Sequence, residues 1–160
     1  MAKITASDVN ALRKQTGVIG EKLDLSSYET IESAQVSAYV HGGNRLATLV
    51  GLNSIVDEQV GKDVAMQVAA MNPIALDRES VSQATIDNEI DVAKDLARQE
   101  GKPEEMLEKI AMGRLNKFFK ENTLLNQEFI KESKTSVSQY LNKIEKDLTV
   151  TDFKRVGLGV

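Results

Sequence analysis

Two long amphipathic patterns separated by three residues constrain this chain more than any other feature. The first recurs at Ile86, Ile90, Ala93 and Ala97 and ends at Gly101. The second starts after Pro103 and carries Leu107, Ile110, Ala111, Leu115, Phe118 and Phe119. Both have the spacing of an α-helix with one apolar face. A break as short as Gly101-Lys102-Pro103 allows little but an antiparallel fold-back, so about 82–120 is expected to form a helical hairpin. Pro103 suits the first turn of the second helix, where backbone N–H groups lack intrahelical acceptors. Gly113 in mid-helix costs about 1 kcal/mol against alanine, so it is expected to mark a close contact or a local bend.

Upstream, the signals alternate between periods. A short N-terminal helix is expected, capped by Ser7, striped by Ile4, Val9 and Leu12, and ended by Gly17. Val18 to Thr30, with Gly20 and the polar Ser26-Ser27, reads as a connector. Ala34, Val36, Ala38 and Val40 then alternate with Gln35, Ser37, Tyr39 and His41, the period of a half-buried strand. Gly42, Gly43 and Asn44 tolerate positive φ and supply a turn. The return strand runs from Arg45 to Leu52, with Leu46, Val50 and Leu52 on one face and Ala47, Leu49 and Gly51 on the other.

A helix with Val60, Val64, Val68 and Met71 on its stripe, flanked by Ala65, Ala69 and Ala70, is stopped by Pro73. Asn122 to Ser133 reads as loop anchored by Leu124, Leu125, Phe129 and Ile130. Thr135 is expected to cap a short helix carrying Val137, Tyr140, Leu141 and Ile144. The tail from Val150 to Gly157 alternates as a last strand. The expected fold is α+β: a three-stranded antiparallel sheet with helices on one face and a protruding antiparallel helical hairpin.

Chemistry is sparse. The chain has 160 residues, no cysteine and one histidine, which argues against disulfides and thiolate or zinc sites. No Walker loop, dinucleotide fingerprint or serine-hydrolase elbow is present, so neither a catalytic residue nor a cofactor is expected. The net charge of −4 argues against nucleic acid as a partner. No apolar run approaches the ~20 residues that span a bilayer, and the opening MAKITASDVN lacks a secretory core. A soluble cytoplasmic interaction module is the expectation, its methionines and alanine-rich helix serving either core or contact.

Taken in order, YVHGGNRLATLV, VAMQVAAMNP, the hairpin turning at GKP, MGRLNKFF, LLNQEF and the last strand with Phe153 and Arg155 resemble translation elongation factor Ts after its first core subdomain. ITASDVNALRKQTG looks like the family's opening, a small ubiquitin-associated-like domain. The resemblance implies a remnant of that domain at 1–17 and a C-subdomain-like domain at 18–160, joined by an internal deletion after the N-terminal helix. It also implies association with the GTPase elongation factor Tu in its GDP state and promotion of GDP release, reduced or lost because the family's TDFV segment has no counterpart here. A module that docks or dimerises without driving exchange stays open, as does a homodimer. Thr151, Asp152 and Phe153 spell TDF, but in the context of the terminal strand, where Phe153 is expected in the core. The implied partner-binding residues are His41, Gly42, Gly43 and Arg45, with Met66, Ala70 and Met71 on the following helix.

Overall fold

The computed structural model describes residues 6–21, 23, 25 and 27–158. Ile4 and Ser26, which enter the sequence reading, lie outside the described residues. The chain forms two compact units, Met1–Thr30 and Ile31–Val160.

In the first unit, α1 spans Ala6–Ile19. Ser7 lies inside this helix, not at its cap. Gly17 does not end it; the stop is Gly20, whose φ of +79° is left-handed and whose N–H bonds Thr16 O at 3.0 Å. The Thr16 hydroxyl also accepts the Leu23 N–H at 3.3 Å.

The second unit is the expected α+β fold. Its sheet has the order β1 (Gln35–Val40), β2 (Leu46–Leu52), β5 (Val150–Gly157), antiparallel throughout. α2 (Glu58–Met71) lies on one face, where Val60, Val64, Ala65 and Val68 bury themselves against Val50, Leu52 and Val150. Each fully buried aliphatic side chain of this kind contributes roughly 1.5–3 kcal/mol. Asp57 caps α2 by accepting the Gln59 N–H at 2.8 Å. Asn72, left-handed at φ 45°, closes it just before Pro73.

β1 alternates as expected, but the face turned toward α2 is the polar one. Ser37 is buried and Gln35 and Tyr39 are half-buried, while Val36 and Val40 are 43% and 56% exposed. The inward polar groups have uses: Gln35 Oε1 accepts the Val56 N–H at 2.7 Å. Next door on β2, Thr48 Oγ1 donates to Ala65 O at 2.8 Å. Small residues here let the helix approach, since a Cβ on Gly61 would overlap Ser37.

The alternation of β5 is broken by a register shift opposite Gly51 and Leu52. Val150 pairs with Leu52 and faces the core; beyond the shift Phe153 pairs with Val50 on the same face. Phe153 packs against the core as expected of the terminal strand. Asp152 turns to the other face and pairs with Lys154 at 3.3 Å. That other face carries Val36, Ala38, Val40, Ala47, Leu49 and Val156, none of them buried.

α3 (Gln83–Gln99) and α4 (Glu104–Asn122) pack as the expected antiparallel pair. Buried Ala93 and Ala97 of α3 and Ala111 of α4 keep the seam small, flanked by Leu107 and Leu115. Ser82 caps α3 through the Thr85 N–H. Gly101, φ +73°, ends it in a Schellman pattern: Gly101 N–H to Arg98 O at 2.9 Å and Lys102 N–H to Ala97 O at 3.0 Å. Pro103 is the cap of α4, one residue before the first turn where the sequence reading put it. Lys94–Glu108, Arg98–Glu104 and Arg114–Glu100 bridge the two helices at 2.5, 2.9 and 2.6 Å. Gly113 has nothing within 4 Å of a Cβ position among the described residues, so of the two expectations there the close contact is absent.

The stretch read as loop after Asn122 contains a small two-stranded ladder, β3 (Glu128–Phe129) and β4 (Glu132–Ser136). α5 (Val137–Ile144) follows. Its cap is Ser136, not Thr135: Ser136 Oγ accepts the Gln139 N–H at 3.2 Å, and Gln139 Oε1 accepts the Ser136 N–H at 2.9 Å. Thr135 belongs to β4, and its hydroxyl donates to Glu132 at 2.9 Å.

Two buried amides tie these parts together. Gln67 Nε2 donates to Gln127 Oε1 at 3.2 Å and to Glu128 O at 3.1 Å, while its Oε1 accepts the Ile130 N–H at 2.9 Å. Gln127 Nε2 donates to Glu121 O at 2.8 Å and Met71 O at 3.3 Å. Both side chains are fully buried and their polar atoms are satisfied.

Candidate functional site

The turn between β1 and β2 is set by its glycine. His41 O accepts the Asn44 N–H at 3.0 Å and His41 N–H donates to Leu46 O at 2.8 Å. Gly43 stands at φ +85° and Asn44 at φ 54°, conformations open to glycine and tolerated by asparagine. Gly42, Gly43 and Arg45 are all exposed on this turn. The Arg45 carbonyl accepts the Leu158 N–H at 2.7 Å, which ties the turn to the end of β5.

Tyr39 and His41 are two residues apart on one strand and therefore share a face. The Tyr39 hydroxyl lies 3.0 Å from His41 Nδ1, and the rings are 6.0 Å apart between centroids. On α2, Met66 and Ala70 are one helical turn apart and point to the same side. The two pairs meet. With Leu46, Ala69 and Ile130 they line a pocket of about 300 Å³. Its floor is apolar and its rim carries the Tyr39 hydroxyl and the His41 imidazole. Such a site can seat an apolar side chain and offer it one polar contact. Among the described residues no serine, cysteine or carboxylate lines it.

Of the seven sequence-predicted residues, the structure brings His41, Met66 and Ala70 to one pocket and sets Gly42, Gly43 and Arg45 in the turn beside it. Met71 does not join them. It is 44% exposed and faces a second, larger cleft of about 670 Å³ between the end of α4 and the β3–β4–α5 corner. Tyr39, Leu46, Ala69 and Ile130 were missed as site residues. The strand period could have added Tyr39 and the alanine flank Ala69, but the approach of Ile130 depends on the Gln67 contact to its backbone and has no sequence signal.

The larger cleft is lined by four cations, Arg78, Lys117, Lys120 and Lys134, against two carboxylates, Glu121 and Glu128. The Arg78 guanidinium sits 5.1 Å from the centroid of the Phe119 ring and donates to Asn116 Oδ1 at 2.9 Å. Lys117 pairs with Glu121 at 3.7 Å. Glu128 Oε1 accepts the Lys134 backbone N–H at 2.8 Å. Among the described residues no helix is long and apolar enough to cross a membrane.

A family model described as Elongation factor TS matches residues 2–160. Elongation factor Ts of Christiangramia forsetii is 52% identical over 150 residues, which take in 92% of this chain and 55% of that protein. The protein of that name from Flavobacterium psychrophilum is 51% identical over 162 residues, 96% of this chain and 59% of its own length. That from Amoebophilus asiaticus is 53% identical over 146 residues, 89% of this chain and 53% of its own. The chain therefore spans between 53 and 59% of the length of these curated relatives. These matches correct the sequence reading. The similarity is not confined to a C-terminal half joined through a deletion to a remnant helix, because the family match starts at residue 2 and takes in the N-terminal helix with the rest.

Proposed function

The chain belongs to the elongation factor Ts family, and on that premise we propose that it docks on elongation factor Tu carrying GDP and speeds release of the nucleotide. The observation that carries the reading is the family match along the chain at about half sequence identity. The geometry supports the docking part. An exposed glycine turn, a tyrosine-supported histidine and an apolar pocket fed by Met66 and Ala70 lie side by side on one edge of the sheet. His41, with Gly42, Gly43 and Arg45, is the proposed centre of contact.

Exchange of this kind makes and breaks no covalent bond. The factor favours a GTPase conformation that holds nucleotide poorly, and the acceleration it gives is limited by its differential affinity for the two conformations. A partner of this kind puts the protein in the cytoplasm with the translation machinery, acting on a protein and not on nucleic acid or a membrane. Release of a fluorescent GDP from elongation factor Tu, followed with and without excess chain, tests the reading. Concentration-dependent acceleration is expected, and an unchanged release rate would overturn it.

A second reading has its own observation. The sheet face away from α2 exposes Val36 and Val40 beside Ala38, Ala47, Leu49 and Val156. Apolar area of this kind supports pairing of two copies face to face, as sheets pack in a sandwich. A monomeric mass across the micromolar range in sedimentation velocity would remove it.

A further inference from the structure

We propose that the cleft between the end of α4 and the β3–β4–α5 corner is a second contact surface, one that takes an acidic segment of a protein partner. It is separate from the pocket beside His41, which shares none of its lining residues.

Charge carries the argument. The chain as a whole is acidic, with 24 Asp and Glu against 20 Lys and Arg, yet four cations and two carboxylates face this one hollow. Both carboxylates are engaged, Glu121 by Lys117 and Glu128 by the Lys134 N–H. Among the described residues Arg78, Lys120 and Lys134 have no carboxylate partner; of the fifteen other described basic side chains eight are ion-paired, and the remaining seven stand outside the cleft. Arg78 is held in place by the Phe119 ring and the Asn116 amide, so its remaining donors are presented without a further ordering cost.

Shape and composition favour a peptide over a nucleic acid. The hollow, at about 670 Å³, has the size of a site for a few side chains. Exposed Met71 at its margin offers an adaptable apolar contact. Glu121 and Glu128 within it, and the negative chain around it, oppose the continuous phosphate charge of an RNA or DNA strand. A short segment with two or three carboxylates and one apolar side chain fits all three features.

The test is a fluorescence anisotropy titration of the full chain with a labelled ten-residue peptide of alternating Glu and Asp with one central Leu. A peptide with Gln and Asn in place of the acids is the reference. Saturable binding of the acidic peptide is expected, weakening at least tenfold in the double variant Lys120→Gln, Lys134→Gln and falling steeply between 50 and 300 mM salt. The variant Lys109→Gln, Lys146→Gln removes the same charge elsewhere and is expected to bind as the parent does. Equal weakening in both double variants, or no preference for the acidic peptide, would overturn the proposal. So would tighter binding of a single-stranded RNA decamer through the same two lysines.

Discussion

A Cβ placed on Gly61 would stand 2.0 Å from Ser37 Oγ and 2.7 Å from Ser37 Cβ. α2 therefore rests on β1 at a separation that admits hydrogen and nothing larger. Gly61→Ala is expected to lower the unfolding free energy by about 1–3 kcal/mol, measured by urea denaturation with an unchanged m-value. The Ser37 hydroxyl is itself buried with no hydrogen-bond partner among the described residues. Ser37→Ala is expected to leave stability unchanged or raise it by up to about 1 kcal/mol. A clear loss in that variant would mean the hydroxyl is satisfied in solution.

Gly113 gives the opposite expectation. It lies exposed inside α4 with open space around its Cβ position. Alanine there reduces the freedom of the unfolded chain and favours the helix, so Gly113→Ala is expected to stabilise by about 0.5–1 kcal/mol. A thermal melt that moves downward would show that the glycine accommodates something the free chain lacks.

The pocket beside His41 separates two variants. His41→Ala removes both the ring at the rim and the hydrogen bond with Tyr39, and is expected to weaken binding to elongation factor Tu by about tenfold, ~1.4 kcal/mol. Tyr39→Phe keeps the ring and loses only its hold on the imidazole, so a smaller loss is expected. Calorimetric titration of both variants checks the order; equal affinity of His41→Ala and the parent would take the histidine out of the interface.

The helix pair carries a pH signature. A hydrogen bond from Arg98, assisted by its positive charge, holds the Glu104 carboxyl below the ordinary glutamate range, and Glu104 holds the Arg98 guanidinium up. A carboxyl depressed on folding contributes stability above its unfolded pKa, about 4.3, and loses it as pH falls through the lower folded value. Both groups are exposed, so the effect is small and sensitive to salt. Glu104→Gln is expected to melt below the parent at pH 7 in low salt and to match it near pH 2. A difference that persists at pH 2 would assign the loss to packing.

Local rules carried the sequence reading where one chemistry governed an element. Gly101 between two helical stripes marked the end of the first, and three alternating runs pointed to a three-stranded antiparallel sheet, whose order β1-β2-β5 came from the structure. The reading slipped where tertiary contacts chose between local options. Gly17 and Gly20 both suited a helix end, and Ser136 and Thr135 both suited a cap, the choice falling on the residue with Gln139 three places on. In β1 the apolar residues faced away from α2, because Gly61 required a small residue opposite it and Ser37 supplied one. As candidates, His41, Met66 and Ala70 came from the family resemblance and not from spacing, and all three line the pocket. Ile130 closes the pocket through a backbone bond to a glutamine 63 residues earlier, which no spacing in the sequence announces.

Gln127 has a consequence for how force travels through this protein. Its side chain is bonded at once to the end of α2, the end of α4 and the amide of Gln67, so the sheet edge bearing His41 and the long helix pair meet at a bolted joint. A partner that holds both grips two handles of a single lever. An apolar residue at this joint would strand the Met71 and Glu121 carbonyls and the Gln67 amide without their partner, and both handles would loosen together.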